Sequence, residues 1–119
     1  MSRDPHTIGR DQPMRAAYDL MRRHRIRHLP VLDGGRLVGV VSLGDLRLVE
    51  TSGDVDPASV PVEEAMSAEP YAVPPDTPVA EVAEEMAARR YGCAIVVDGH
   101  AVVGVFTTID ALRALVGRR

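Results

Sequence analysis

The 119-residue sequence contains no lysine and no tryptophan, one cysteine, one phenylalanine and three tyrosines. Each shortage excludes something. A lone Cys93 forbids an internal disulfide and any multi-cysteine metal site, and it suits a reducing compartment. With aromatics at 3%, the chain cannot offer the row of exposed rings on which single-stranded nucleic acid stacks. No stretch approaches the roughly 20 apolar residues of a membrane span, and the opening MSRDPHTIGRDQP lacks the apolar run of a signal peptide. The expectation is a soluble, cytoplasmic protein.

What is present is a 45% hydrophobic composition, enough for one modest core of Val, Leu, Ile, Ala and Met. All 14 basic residues are arginine, and the net charge is -3. The run RRHRIRHLP (22–30) concentrates positive charge, yet the first 59 residues hold only nine arginines against eight acids, and the rest hold five against nine. Neither half is basic enough to claim a phosphate backbone.

Laying residue i on residue i+65 exposes a gapless repeat. Met1 and Ser2 fall on Met66 and Ser67, Pro13 on Pro78, Met21 on Met86 and Arg25 on Arg90; VLDGGRLVGVVSLGDL falls on VVDGHAVVGVFTTIDA. Two copies of this length read as a pseudo-twofold pair of α/β units rather than a solenoid. In each copy a short extended piece precedes a helix opened by Pro13 or Pro78, with Asp11 or Asp76-Thr77 as cap candidates. The helix buries Met14, Ala17, Tyr18 and Met21 in copy one, and Val79, Val82, Ala83 and Met86 in copy two, at the i, i+3, i+4, i+7 spacing of one face. Two apolar strands joined by DGG or DGH follow as a hairpin, and a second helix closes each copy, from about Leu43 to Glu50 and Thr108 to Val116. Residues 1–50 form copy one, 51–61 a linker, and 62–119 copy two, whose VEEAM lead-in has no counterpart in copy one.

Both copies end their last strand in the same motif, GVVSLGD (39–45) and GVFTTID (104–110). A hydroxyl at the strand end can cap the following helix, whose N–H groups then face an anion. Asp45 and Asp110, in the first turn, can accept hydrogen bonds from vicinal hydroxyls as an acid does for a ribose. One such motif is an ordinary capping pattern; two in register within a duplication are a stronger signal.

The repeated strand-turn-strand-helix with RHLPVLDGGRLVGVVSLGDL, the lead-in AMSAEPYAVPPDTPVAEVAEEM and the paired motifs resemble cystathionine β-synthase (CBS) domains, two of which form a Bateman module. The resemblance implies an α/β (α+β) fold of two pseudo-twofold-related βαββα repeats packed sheet to sheet. It implies two clefts for an adenosine-containing ligand (AMP, ADP, ATP or S-adenosylmethionine), each built from both repeats. One cleft would take Thr7, Ile26, Arg27, His28 and Pro30 with Thr107 and Asp110. The other would take Ala72, Tyr91, Gly92, Cys93 and Ile95 with Ser42 and Asp45. Arg27 and His28 would then meet a phosphate, whereas Arg22, Arg23 and Arg25 sit at a helix C-terminus where cations offset the dipole.

The remaining features are bland. Cys93 reads as a small buried hydrophobe, the four histidines have no metal-ligand spacing, and no nucleophile–base pair points to an enzyme. The leading function is therefore a stand-alone regulatory module that binds an adenosyl ligand and signals to a partner protein, without a required cofactor, a metal or a membrane. A structural or dimerisation module with empty clefts is the alternative, favoured by YGCAIVV in copy two; nucleic-acid binding comes third. Leu46, Leu48, Leu112 and Leu115 exceed what one small domain can bury, so a homodimer is expected.

Overall fold

In the computed structural model, residues 2–3 and 5–117 are described. After a two-residue strand β1 (Ser2–Arg3), the first repeat runs β2 (Ile8–Gly9), α1 (Met14–His24), β3 (His28–Asp33), β4 (Arg36–Ser42) and α2 (Leu43–Gly53). A 3-10 turn at Val62–Glu64 leads to the second, β5 (Ala72–Val73), α3 (Val79–Arg89), β6 (Cys93–Asp98), β7 (Ala101–Thr107) and α4 (Thr108–Gly117). The expected mixed α/β class and the βαββα order of each repeat are both present.

Each repeat is locally determined in the same way. Pro13 and Pro78 stand one residue ahead of their helices, and neither N-cap receives a side-chain hydrogen bond, so Asp11, Asp76 and Thr77 do not cap as expected. The fixed φ of proline starts the turn instead. Arg25 and Arg90 end these helices with φ of 56° and 59°, their N–H groups donating to Met21 O and Met86 O. This left-handed cap, a conformation that favours glycine, is held by an arginine in both repeats. The hairpins turn at Gly34 (φ 59°) and Gly35 (φ 85°), and at Gly99 (φ 63°), where a side chain would be strained.

The strands form two sheets, ordered β2-β3-β4 and β1-β7-β6-β5. Their registers repeat, with an irregularity at Val31/Leu32 and again at Val96/Val97. The segment leading into each repeat does not join that repeat. Ser2 pairs with Val105 of β7, and Ser67 pairs with Val40 of β4, a correspondence kept by the 65-residue offset. Gly39 makes this approach possible, since a Cβ there would lie 2.6 Å from Met66 Sδ and from Ser67 O.

Two compact units result: residues 6–70, and residues 71–117 together with β1. The first has a core of Met14, Ala17, Met21, Leu29, Val31, Val41 and Leu46, into which Val62 and Ala65 also insert. The 62–66 lead-in, grouped with copy two by self-comparison of the sequence, thus packs in the first unit. Leu46, expected to be left over as surface, is 0% exposed. The second core is smaller, with Val73, Val82, Met86, Ala94, Val96 and Phe106. Val79, expected on the buried face, is 41% exposed, and Tyr18 is only half-buried.

Candidate functional site

The site residues gather at the end of each hairpin. In the first repeat β4 stops at Ser42, whose extended backbone (φ -105°, ψ 162°) turns the chain into α2. Asp45 N–H donates to Ser42 Oγ (3.0 Å) and Ser42 N–H donates to Asp45 Oδ2 (2.9 Å), a reciprocal capping box. In the second repeat Thr107 N–H and Thr107 Oγ1–H donate to Asp110 Oδ2 (2.8 and 3.2 Å), and Asp110 N–H reaches Thr107 Oγ1 at 3.4 Å. Both carboxylates are therefore held in one orientation at a helix N-terminus.

The residue ahead of the central strand belongs to the same corner. Leu43 N–H donates to Arg27 O (2.9 Å), and Thr108 N–H donates to Gly92 O (3.3 Å), again related by the offset. His28 lies opposite Ser42 in the β3–β4 register, as Cys93 lies opposite Thr107. Burial lowers the His28 pKa from its ordinary 6.5; the Asp45 carboxylate works against that shift and the Arg27 guanidinium adds to it. One corner thus brings together Arg27, His28, Ser42 and Asp45, and the other Gly92, Cys93, Thr107 and Asp110. Pro30 and Ile95 are buried two residues further along β3 and β6, Thr7 and Ile26 are half-buried, and Ala72 pairs with Ile95 at the β5–β6 edge. Tyr91 stacks on Tyr71 with ring centroids 5.3 Å apart.

The basic run divides as its positions suggest. Arg22 pairs with Asp19 at 2.8 Å. Beside it, between α1 and α2, lies an open cavity of about 680 Å³ whose walls include Arg15, Arg22, Arg25, Arg27 and Arg47. Among the described residues, no ion pair holds Arg25, Arg27 or Arg47. Sequence reasoning missed Arg15, which stands two helical turns before Arg22 on α1, and missed Arg47 because it joins the run only in space, α1 and α2 being separated by the whole hairpin. It missed the Tyr18 hydroxyl donating to Glu50 (2.7 Å) for the same reason; burial and that carboxylate push the Tyr18 pKa up to about 12. His6 and His24, scattered in sequence, stack with centroids 3.5 Å apart. Among the described residues, no group of three or more His, Cys, Asp or Glu side chains could hold a metal ion, and no helix is long and apolar enough to cross a membrane.

Comparison with known proteins agrees with this geometry. The family model described as CBS domain matches residues 1–50 and again 62–117. The A-adding tRNA nucleotidyltransferase of Geobacter sulfurreducens is 31% identical over 97 residues, which is 82% of this chain but 11% of that enzyme. The CBS domain-containing protein YhcV of Bacillus subtilis is 28% identical over 104 residues, 87% of this chain and 74% of that protein. Among solved structures, the CBS domain pair of protein MJ0100, in complex with 5'-methylthioadenosine and S-adenosyl-L-methionine, superposes with a TM-score of 0.90 at 28% identity, covering 100% of this chain and 94% of that one.

Proposed function

The chain belongs to the CBS domain family, with two repeats in tandem, and from that premise we propose that it is a regulatory, non-catalytic module that binds an adenosine-bearing ligand, an adenine nucleotide or S-adenosylmethionine. The observation that carries this reading is the doubled corner: a hydroxyl at a strand end, a helix N-terminus behind it and an oriented Asp, at Ser42/Asp45 and again at Thr107/Asp110. An Asp held from behind by N–H groups presents a fixed acceptor edge, which suits the paired hydroxyls of a ribose. The likeness to a CBS pair that carries adenosyl ligands supports the same class.

Following the family resemblance, one ligand is taken by Arg27 and His28 with Thr107 and Asp110, and a second by Tyr91, Gly92 and Cys93 with Ser42 and Asp45. The first is the anion-preferring site, because only it includes a cation that can meet a phosphate bidentately. Binding biases the arrangement of the pair, and a partner protein in the cytoplasm reads the change. A homodimer forms through the exposed Leu48, Leu112 and Leu115. The second reading, a structural module with empty clefts, is favoured by one fact: in the capping box Ser42 and Asp45 already bond each other reciprocally, which is a role in helix capping by itself.

Calorimetry with adenosine and AMP separates the two. We expect Asp110→Ala to abolish binding of both ligands, and Arg27→Ala to weaken AMP by about tenfold while sparing adenosine, as loss of a charge-assisted bond of roughly 1.5–3 kcal/mol requires. No saturable heat from any adenosine-bearing ligand would leave only the structural reading, and loss of the tight site in Asp45→Ala instead of Asp110→Ala would reverse the assignment.

A further inference from the structure

The two repeats share a backbone frame but not the charge that surrounds it. In the first repeat the open cavity of about 680 Å³ between α1 and α2 is walled by five guanidinium groups. Arg15, Arg22 and Arg25 come from α1 and its C-cap, Arg27 from the segment before β3, and Arg47 from α2. Two carboxylates, Asp19 and Glu50, share the wall and leave an excess of three positive charges. Asp19 pairs with Arg22 at 2.8 Å, and Glu50 already accepts the Tyr18 hydroxyl at 2.7 Å. Arg15 reaches Asp56 only at 4.0 Å, and among the described residues no ion pair holds Arg25, Arg27 or Arg47. Gathering like charges in one wall costs repulsion, and the fold does not require it. The second repeat has the same βαββα order and the same left-handed cap, yet it replaces Arg15, Arg22, Arg27 and Arg47 by Ala80, Ala87, Gly92 and Leu112.

We propose that this cavity is a binding site for an oligophosphate chain, free or as the tail of a nucleotide, built by the first repeat alone. The charge is a stripe and not a point: from Arg15 to Arg25 it runs roughly 15 Å along α1, and Arg47 adds to it from α2. A single phosphate meets one or two of these groups, whereas a chain of three or more follows the stripe and neutralises the excess. Guanidinium is the cation that grips phosphate oxygens in pairs. An acidic peptide offers the same fork at most once per residue, so it matches the excess less densely. Every wall residue lies within the first compact unit. Arg27 is shared with the adenosyl reading, but the oligophosphate site takes nothing from Thr107 or Asp110, so the two stand or fall separately.

Calorimetry of the full chain with tripolyphosphate, at about 0.15 M salt so that loose surface attraction is screened, tests it. Saturable binding is expected, weakened by about tenfold in the double variant Arg15→Ala/Arg47→Ala and tightened by about threefold in Glu50→Gln, which removes a wall carboxylate. Both arginines are exposed, and the second repeat carries alanine where Arg15 stands, so the fold should survive, which circular dichroism verifies. Asp110→Ala should leave tripolyphosphate binding unchanged, and the double variant should leave adenosine binding unchanged. ATP distinguishes the source of the chain. If ATP binds more tightly than AMP and loses that advantage in the double variant, the chain is a nucleotide's tail; if ATP and AMP bind alike while tripolyphosphate still binds, it is free. Absence of saturation with tripolyphosphate, binding unchanged by the double variant, or equal binding of hexaglutamate, which would make the groove a surface for acidic polypeptide, would overturn the proposal.

Discussion

The first repeat is closed and cationic; the second is open and uncharged at the equivalent positions. Where the first has Met14, Val62 and Leu46 fully buried, the second has an exposed Val79, a cavity and Ala111. Where the first has Arg15, Arg27, His28 and Arg47, the second has Ala80, Gly92, Cys93 and Leu112. The backbone correspondence, down to the left-handed Arg25 and Arg90, survives these changes. Duplication therefore preserved the frame that orients the two aspartates and let the surroundings of each diverge, so that one framework carries two chemically different corners.

The largest expected effect breaks the packing side of this contrast. Met14→Ala removes a fully buried side chain beside Val62 and should cost about 2–5 kcal/mol, whereas Val79→Ala, at the equivalent place, should stay within about 0.5 kcal/mol. Urea denaturation of the two variants measures both; equal losses would mean that the start of α3 is packed no less than the start of α1. Capping gives a smaller difference. Ser42→Ala should destabilise by about 1 kcal/mol, and Thr107→Ala by less, because the backbone N–H of Asp110 already sits 3.4 Å from its acceptor. Thermal denaturation should rank them in that order.

The smallest effect sharpens the electrostatic contrast. Because burial lowers the folded-state pKa of His28, the unfolded chain binds more protons than the folded one as pH falls below about 6.5. The contribution of neutral, half-buried His28 is thus fully present above that pH and is lost as pH falls toward its lowered folded value. His28→Cys, which installs the second repeat's residue, should flatten this part of the stability-versus-pH curve. Denaturation midpoints at pH 5.5 and 7.5 check it, and an undiminished slope would assign the dependence to other groups.

The frame was legible because it is written in local chemistry. Gly34, Gly35 and Gly99 mark turns, Ser42 and Asp45 mark a cap, and the apolar spacing from Met14 to Met21 marks a helix face; each needs only neighbours within a few residues. What escaped depends on partners distant in sequence. Val79 has the same helical phase as Met14, yet Met14 owes its burial to residues 60–66, which are distant in sequence. Leu46 looks surplus until the first repeat's core is assembled around it. Residues 62–66 open the second family match and yet pack in the first unit, because repetition runs along the chain, while burial does not. In the candidate site, the Ser/Thr–Asp pairs could be found by pattern, but the meeting of Arg47 with Arg22, Arg25 and Arg27 required the α1–α2 pairing.

The crossing of the lead-in segments gives each unit the leading piece of the other repeat. Ser2 completes the sheet of residues 71–117, and Ser67 attaches to the sheet of residues 6–70. Fragments 1–56 and 57–119, expressed as separate chains, therefore each lack a piece that only the other carries, and mixing them is expected to give a complex that neither forms alone, which size-exclusion chromatography checks.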